Sequence, residues 1–135
     1  MTFEEYLLAL LIFREAAGES YLGRIAVAHV VATRARNPRW WGSSIYEVIT
    51  KPYQFSSLTD PRDAQLAKFP KLSDPLFMNC VAIAKGVIIG QIPNPVPRAD
   101  HYYADYIATP SWAVASEFLT QVGRHRFFAV EGVLE

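Results

Sequence analysis

Long apolar runs separated by short polar boundaries dominate the first forty residues, and this pattern predicts helices. Thr2 and Glu5 form a capping-box pattern immediately before such a run. The run predicts a first helix over about residues 3–17. Gly18 follows it in the position of a left-handed C-terminal cap.

Two more helices are predicted before residue 51. The second starts near Ser20, carries small and branched apolar residues at helical spacing, and stops at Asn37-Pro38. Ser44 and Glu47 repeat the capping-box pattern before a short third helix that ends near Thr50.

The middle of the chain is less regular until a proline marks the next helix. Residues 51–57 break the helical rhythm and predict an extended loop, and a short helix is predicted over residues 63–69. Asp74-Pro75 then supplies an N-cap and a proline in the first turn for a clear helix over about residues 75–89, which Gly90 ends.

The C-terminal part predicts loops and a little β-structure. Three prolines in residues 92–98 require an irregular connection. An aromatic cluster at residues 101–103 and a turn-like segment at residues 109–112 follow. Alternating residues around Gly123, within residues 118–130, predict one or two short strands.

These elements predict a mainly α fold of the α+β kind. We expect one compact domain over residues 1–135, with about five helices and a small β or loop component. A hydrophobic content of 51% in 135 residues suffices for a substantial core. Cys80 is alone and lies among apolar residues, so a buried packing role is favoured over a nucleophile.

Charge and hydropathy limit the kinds of binding partner and the cellular location that we expect for this chain. Thirteen basic and thirteen acidic residues cancel, so we expect no nucleic-acid partner. The apolar run over residues 6–13 is too short for stable membrane insertion. Glu4 and Glu5 precede it where a secretory signal carries positive charge, which predicts synthesis in the cytoplasm without a signal peptide.

Glu15 is the strongest candidate for chemistry. It lies at the exit of an apolar helix, where the helix dipole and apolar neighbours favour the protonated form that a general acid needs. The alternative is an incidental glutamate at a solvated helix end. Glu19 could be a second carboxylate for glycoside cleavage, but it is also placed to cap the second helix, and this structural role is favoured.

Metal chemistry is a rival interpretation. His101, Asp105 and His125 could meet in space as ligands in a zinc-dependent amidase or peptidase, although their spacing matches no helical metal site. Serine nucleophile and phosphate-binding motifs are absent from the sequence. Aromatic residues in the irregular segments instead favour a carbohydrate-binding cleft.

Several short motifs follow one another along nearly the whole chain: Glu15-Ala-Ala-Gly-Glu19, the helix around His29 and Arg34, Gln54-Phe55-Ser56, Tyr102-Tyr103, Pro110-Ser111-Trp112, and Gly123-Arg-His125-Arg-Phe127. In this order they resemble the SleB/CwlJ-type cell-wall hydrolases, which include spore-cortex-lytic enzymes and phage lysins. Two positions depart from the family pattern. Ala17 stands where arginine is usual, and Ala104 stands where asparagine follows the tyrosine pair.

The resemblance implies a lysozyme-like fold and attack on the glycan strands of peptidoglycan. We expect no metal and no cofactor. Glu15 would act first as acid and then as base in a lytic transglycosylase or muramidase. Glu19 and His125 would give structural support. The residues expected to contact substrate are Gln54, Phe55, Ser56, Tyr102, Tyr103 and Trp112.

The expected setting is a phage endolysin. The enzyme would be made in the host cytoplasm, would need a holin for access, and would act in the periplasm on the cell wall. A non-catalytic module that binds the wall or a protein on the same fold is the other rival.

Overall fold

A layer of helices comes first along the chain, and a small sheet closes one side of it. The computed structural model describes residues 1–134. Its elements are α1 (Phe3–Ala16), α2 (Tyr21–Arg36), α3 (Ile45–Thr50), α4 (Ser56–Thr59), a 3-10 turn (Ala64–Ala67), α5 (Pro75–Ile88), β1 (His101–Ala104), α6 (Ser111–Val114), β2 (Glu117–Val122) and β3 (His125–Ala129).

The N-terminal end of α1 confirms the predicted capping box. Thr2 Oγ1 accepts a hydrogen bond from the Glu5 amide (3.1 Å), and Glu5 Oε1 accepts one from the Thr2 amide (2.7 Å). The predicted left-handed cap at Gly18 is wrong. The turn closes without it because the Glu19 amide donates to the Ala16 carbonyl (3.0 Å).

Helices α2 and α5 start at the capping residues that the sequence indicates. The Ser20 hydroxyl accepts from the Gly23 amide, so Ser20, and not Glu19, caps α2. Asp74 Oδ1 accepts from two amides in the first turn of α5, and Gly90 ends that helix with φ 77°.

Three of the irregular segments differ from expectation. The segment predicted as a loop over residues 51–57 contains the start of α4 at Ser56, and the helix predicted over residues 63–69 shortens to the 3-10 turn. Residues 111–114 form the short helix α6 where only a turn was expected. Each of these elements has four residues, too few to produce a periodic pattern.

The main core lies between α1, α2 and α5. Phe77 on α5 is fully buried, and the rings of Tyr6 and Phe13 from α1 meet it edge-on at 5.8 and 5.9 Å. Cys80 is buried in the same core, as predicted.

The sheet is antiparallel, with strand order β1-β3-β2. Strand β3 is central, and its side chains alternate between two apolar clusters. Phe127 is buried in the main core, whereas Phe128 packs in a second cluster with Tyr103 and Ala113. The expectation of a mainly α fold with a small β component is therefore confirmed. Among residues 1–134, no helix is both long and apolar enough to cross a bilayer.

Candidate active site

The end of α1 brings Glu15 against strand β1. The Glu15 carboxylate is half-buried, and its Oε1 accepts a hydrogen bond from the Tyr102 hydroxyl (2.7 Å). The neighbouring Arg14 anchors this helix end, because its guanidinium donates to the carbonyls of Ser57 (2.8 Å), Leu66 and Lys68. Glu15 therefore stands on a fixed helix end and faces the sheet.

Tyr102 acts as a hydrogen-bond donor to Glu15. Burial raises the pKa of Tyr102 well above its ordinary value, and the charge of Glu15 and the hydrogen bond to it raise this pKa further. The phenol consequently keeps its proton across the physiological range. The centre of its ring lies 6.3 Å from that of Phe55 and 5.1 Å from that of His125, and packing against these rings helps to hold the hydroxyl on Glu15.

Two cavities meet at Glu15 and together form one cleft. The first, of about 380 Å³, extends towards Trp40 and is called the Trp40 arm. The second, of about 360 Å³, extends towards Tyr106 and is called the Tyr106 arm. Both arms are lined by Glu15, Gln54, Tyr102 and Trp112. The carboxylate thus lies at the junction, with room for a chain-like ligand on either side.

A buried arginine forms one wall of the Trp40 arm. Arg34 is 3% exposed, and its Nε donates to the Asp100 carbonyl (2.6 Å) while its Nη1 donates to Gln54 Oε1 (3.3 Å). Its guanidinium also lies 5.4 Å from the centre of the Phe55 ring. Burial lowers the pKa of Arg34 to about 10, so it remains a cation at neutral pH. Arg34 fixes Gln54 and Phe55 at the cleft.

His125 lines the Tyr106 arm, and Glu19 lies next to His125. Glu19 Oε1 accepts from the Arg124 amide (2.9 Å) and lies 3.6 Å from His125 Nδ1. Burial lowers the pKa of His125, against the opposite effects of Glu19 and Glu15. The pair ties the α1–α2 corner to the β2–β3 turn next to Tyr102.

The remaining residues expected to contact substrate divide into two groups. Gln54, Phe55 and Trp112 line the cleft with Glu15. Tyr103 points to the other face of β1 and is mostly buried with Phe128, reaching only the Tyr106 arm.

Ser56 lies outside both arms. Its hydroxyl donates to Asp63 Oδ2 (2.7 Å), and it lines a separate cavity of about 730 Å³ next to the cleft. The start of α4 turns Ser56 away from Gln54 and Phe55, the two residues that precede it in the same motif.

The residues of the zinc interpretation do not come together. His101 Nδ1 pairs with Asp100 (3.0 Å), Asp105 pairs with Arg124 (3.0 Å), and His125 faces Glu19. Within residues 1–134, no group of three His, Cys, Asp or Glu side chains is arranged to hold a metal ion. The rival zinc site of His101, Asp105 and His125 is therefore not formed.

Several cleft residues were not among those expected to bind. Arg34, Trp40, His101 and Glu131 all line the Trp40 arm. The sequence indicates only one of these residues. Arg34 lies in the apolar part of α2, and a buried cation needs polar partners, which points to a polar site nearby. Trp40 and Glu131 are 91 positions apart and meet through a hydrogen bond from Trp40 Nε1 to Glu131 Oε1 (2.7 Å). Local sequence gives no indication of this pair.

Carboxyl groups carry out the chemistry of most glycosidases, so a carboxylate in the middle of an aromatic-lined cleft fits an enzyme that acts on carbohydrate chains. Residues 18–128 match the model of the family described as Cell Wall Hydrolase. The chain belongs to the Cell Wall Hydrolase family and is an enzyme of that class.

Solved structures show the same fold. The catalytic domain of the germination-specific lytic transglycosylase SleB from Bacillus anthracis aligns with a TM-score of 0.72 and 24% identity, over 95% of this chain and 96% of that one. The catalytic domain of the Bacillus cereus SleB protein aligns with a TM-score of 0.69 and 24% identity, over 93% of this chain and 88% of that one. These likenesses confirm the expected lysozyme-like fold.

Curated relatives are longer proteins. Spore cortex-lytic enzymes from Bacillus subtilis and Halalkalibacterium halodurans are 26% and 24% identical over 123 residues, which is 90% of this chain. The match covers 36% and 33% of their lengths. The chain thus spans about a third of these relatives.

Proposed function

We propose that this chain cleaves the glycan strands of peptidoglycan with Glu15 as its catalytic residue. The observation that carries the proposal is the position of Glu15. Its carboxylate stands where the two arms of the cleft meet and accepts a hydrogen bond from Tyr102. A glycan strand lying along both arms would place one glycosidic bond at this carboxylate.

The proposed reaction uses one carboxyl group twice. Protonated Glu15 donates its proton to the glycosidic oxygen as the bond from the anomeric carbon to that oxygen breaks, which releases the leaving sugar as an alcohol. The carboxylate then accepts the proton of the C6 hydroxyl while that oxygen bonds to the anomeric carbon. The product is a 1,6-anhydro sugar, no water is consumed, and Glu15 is protonated again.

Tyr102 supports both steps. Its hydroxyl donates to Glu15 Oε1, which orients the carboxylate and stabilises the charge left after the first proton transfer. Because the pKa of Tyr102 is raised by burial and by Glu15, the phenol does not compete as an acid at neutral pH.

The names of the relatives support this reaction class. The curated relatives are called spore cortex-lytic enzymes, and the Bacillus anthracis structure is called a germination-specific lytic transglycosylase. Glu15 lies three positions before the start of the family match at residue 18. Its proposed role therefore rests on the cleft geometry and on the resemblance of the Glu15–Glu19 motif to that of the SleB/CwlJ-type hydrolases.

The wider setting is part of the same proposal. Residues 1–135 would form a single catalytic domain, and the resemblance to phage lysins supports a role as an endolysin that reaches the wall through a holin. The test is expression in a Gram-negative host with and without a holin. Lysis that requires both the holin and Glu15 supports the role, and lysis independent of the holin contradicts it.

The test of the catalytic assignment compares two glutamates of one motif. Glu15→Gln keeps the shape of the side chain but removes its acid, so release of dye-labelled fragments from purified peptidoglycan should fall by at least about a hundredfold. Glu19→Gln is the matched control and should retain most of the activity, because its oxygen still accepts from the Arg124 amide. A Glu15→Gln enzyme as active as the control contradicts the assignment.

A further inference from the structure

Asp100 is a fully buried carboxylate beside the cleft, outside the proposed reaction. It is 0% exposed. Its Oδ1 accepts from the Val130 amide (2.9 Å) and from His101 Nδ1 (3.0 Å), and its Oδ2 accepts from the Glu131 amide (2.8 Å). Burial opposes its ionisation, but these hydrogen bonds outweigh burial and lower the pKa of Asp100. Asp100 is therefore an anion with a fixed orientation.

This anion determines which nitrogen of His101 carries the proton. A carboxylate only accepts hydrogen bonds, so Nδ1 of the imidazole must be protonated to bind Asp100. Nε2 of the neutral ring is then an acceptor with a free lone pair. Among residues 1–134 no side chain or backbone group hydrogen-bonds to it.

The ring of His101 is also fixed in the cleft wall. Its centre lies 4.7 Å from that of Trp112 and 6.1 Å from that of Trp40, and all three side chains line the Trp40 arm together with Glu15. The Arg34 guanidinium lies on the same arm and holds the Asp100 carbonyl. The imidazole therefore has one orientation and one tautomer.

We propose that His101 contacts the substrate, with Nε2 accepting a hydrogen bond from a hydroxyl or acetamido N–H of a sugar bound in the Trp40 arm. A pyranose ring offers apolar C–H faces to tryptophans and donor groups at its edge, and this wall has matching features. The inference rests on the proposed function, since it assumes a glycan in the cleft. It makes His101, positioned by Asp100, a determinant of substrate binding in addition to Glu15.

Two substitutions separate the nitrogens of His101. The amide nitrogen of Asn is placed to replace Nδ1 against Asp100 but leaves nothing at Nε2, whereas Gln places an amide near Nε2. The parent is Glu15→Gln, and the probe is a tetrasaccharide of alternating N-acetylglucosamine and N-acetylmuramic acid, measured by calorimetry. His101→Asn should weaken binding roughly 5- to 20-fold, and His101→Gln should stay within about threefold of the parent.

The matched control is His29→Gln, a second buried histidine whose Nε2 bonds to the Ile92 carbonyl (2.8 Å) away from the cleft. It should bind the tetrasaccharide like the parent. Equal affinity of His101→Asn and His29→Gln overturns the inference. So does a parent that does not bind the tetrasaccharide.

The nitrogen resonances of His101 distinguish a substrate contact from a purely structural role, because the resonances of a structural histidine would not respond to the sugar. In long-range proton–nitrogen spectra, His101 should show an unprotonated Nε2 whose resonance shifts when the tetrasaccharide is added, while His29 stays unchanged. A protonated Nε2, or a resonance that does not shift, contradicts the proposal. Failure of the proposed function gives a different result. The wild-type enzyme would then release no cleaved glycan from peptidoglycan, whether or not His101 binds the sugar.

Discussion

At the scale of single residues, the proposed reaction depends most on the contact between Tyr102 and Glu15. The two residues are 87 positions apart, and strand β1 brings the tyrosine to the end of α1. A motif reading from sequence can name both residues. It cannot show that the phenol donates to the carboxylate, because that depends on which face of β1 each tyrosine occupies.

Removing the hydroxyl group of Tyr102 should impair catalysis more than it impairs folding. Tyr102→Phe keeps the ring packing but loses a hydrogen bond to a charged group, so we expect kcat on soluble glycan to fall by roughly 10- to 100-fold. The control is Tyr46→Phe, an exposed tyrosine on α3 that lines neither arm of the cleft, and it should stay within about twofold. Equal rates for the two variants would show that the Tyr102 contact is not used.

At the scale of elements, the β2–β3 turn is fitted to the α1–α2 corner. Gly123 has φ 58°, and a β-carbon at this position would collide with the Glu19 carboxylate. Glu19 in turn holds the Arg124 amide and faces His125. The turn therefore needs glycine both for its backbone conformation and for the close approach of Glu19.

Gly123→Ala should destabilise the protein by about 2–3 kcal/mol, of which about 1–2 kcal/mol comes from the left-handed backbone and the rest from displacing Glu19. The control is Gly90→Ala, which has φ 77° but open space around its β-carbon, and it should show only the backbone cost. Urea unfolding measures both. If Gly123→Ala lowers the free energy of unfolding no more than Gly90→Ala does, the collision with Glu19 does not contribute to the loss of stability.

The sequence predicts an element well when the residues that determine it are close to it in the chain. The starts of α1, α2 and α5 follow from capping residues within three positions of the helix, so they are predictable. Strand β1 is not, because it forms only by pairing with β3, as in His101 opposite Phe128. The motif predicts that Ser56 contacts the substrate, but the four-residue helix α4 directs its hydroxyl to Asp63 instead.

At the scale of the whole molecule, two buried histidines couple folding to pH. Burial lowers the pKa of both His29 and His125 below the ordinary value of 6.5 that the unfolded chain retains. Below about pH 6.5 the unfolded state therefore binds more protons than the folded state, and the free energy of unfolding must fall as pH decreases. Above that pH this contribution is fully present.

Thermal unfolding between pH 7.5 and pH 5 tests this linkage. The melting temperature of the wild type should fall steadily below about pH 6.5, and the fall should be smaller in His29→Gln, which removes one of the two groups. The variant has a lower melting temperature at pH 7.5, so the comparison is of slopes. A wild-type melting temperature that is constant or rises from pH 6.5 to pH 5 would contradict the account.

The central claim is that Glu15 alone cuts the glycan strand in one cleft, and mass spectrometry of digested peptidoglycan tests it most directly. Wild-type enzyme should release muropeptides that end in 1,6-anhydro-N-acetylmuramic acid, and Glu15→Gln should release none. Products with free reducing ends would show that water, and not the C6 hydroxyl, is the nucleophile. Intact glycan strands with released peptides, or the same products from Glu15→Gln, would contradict the claim.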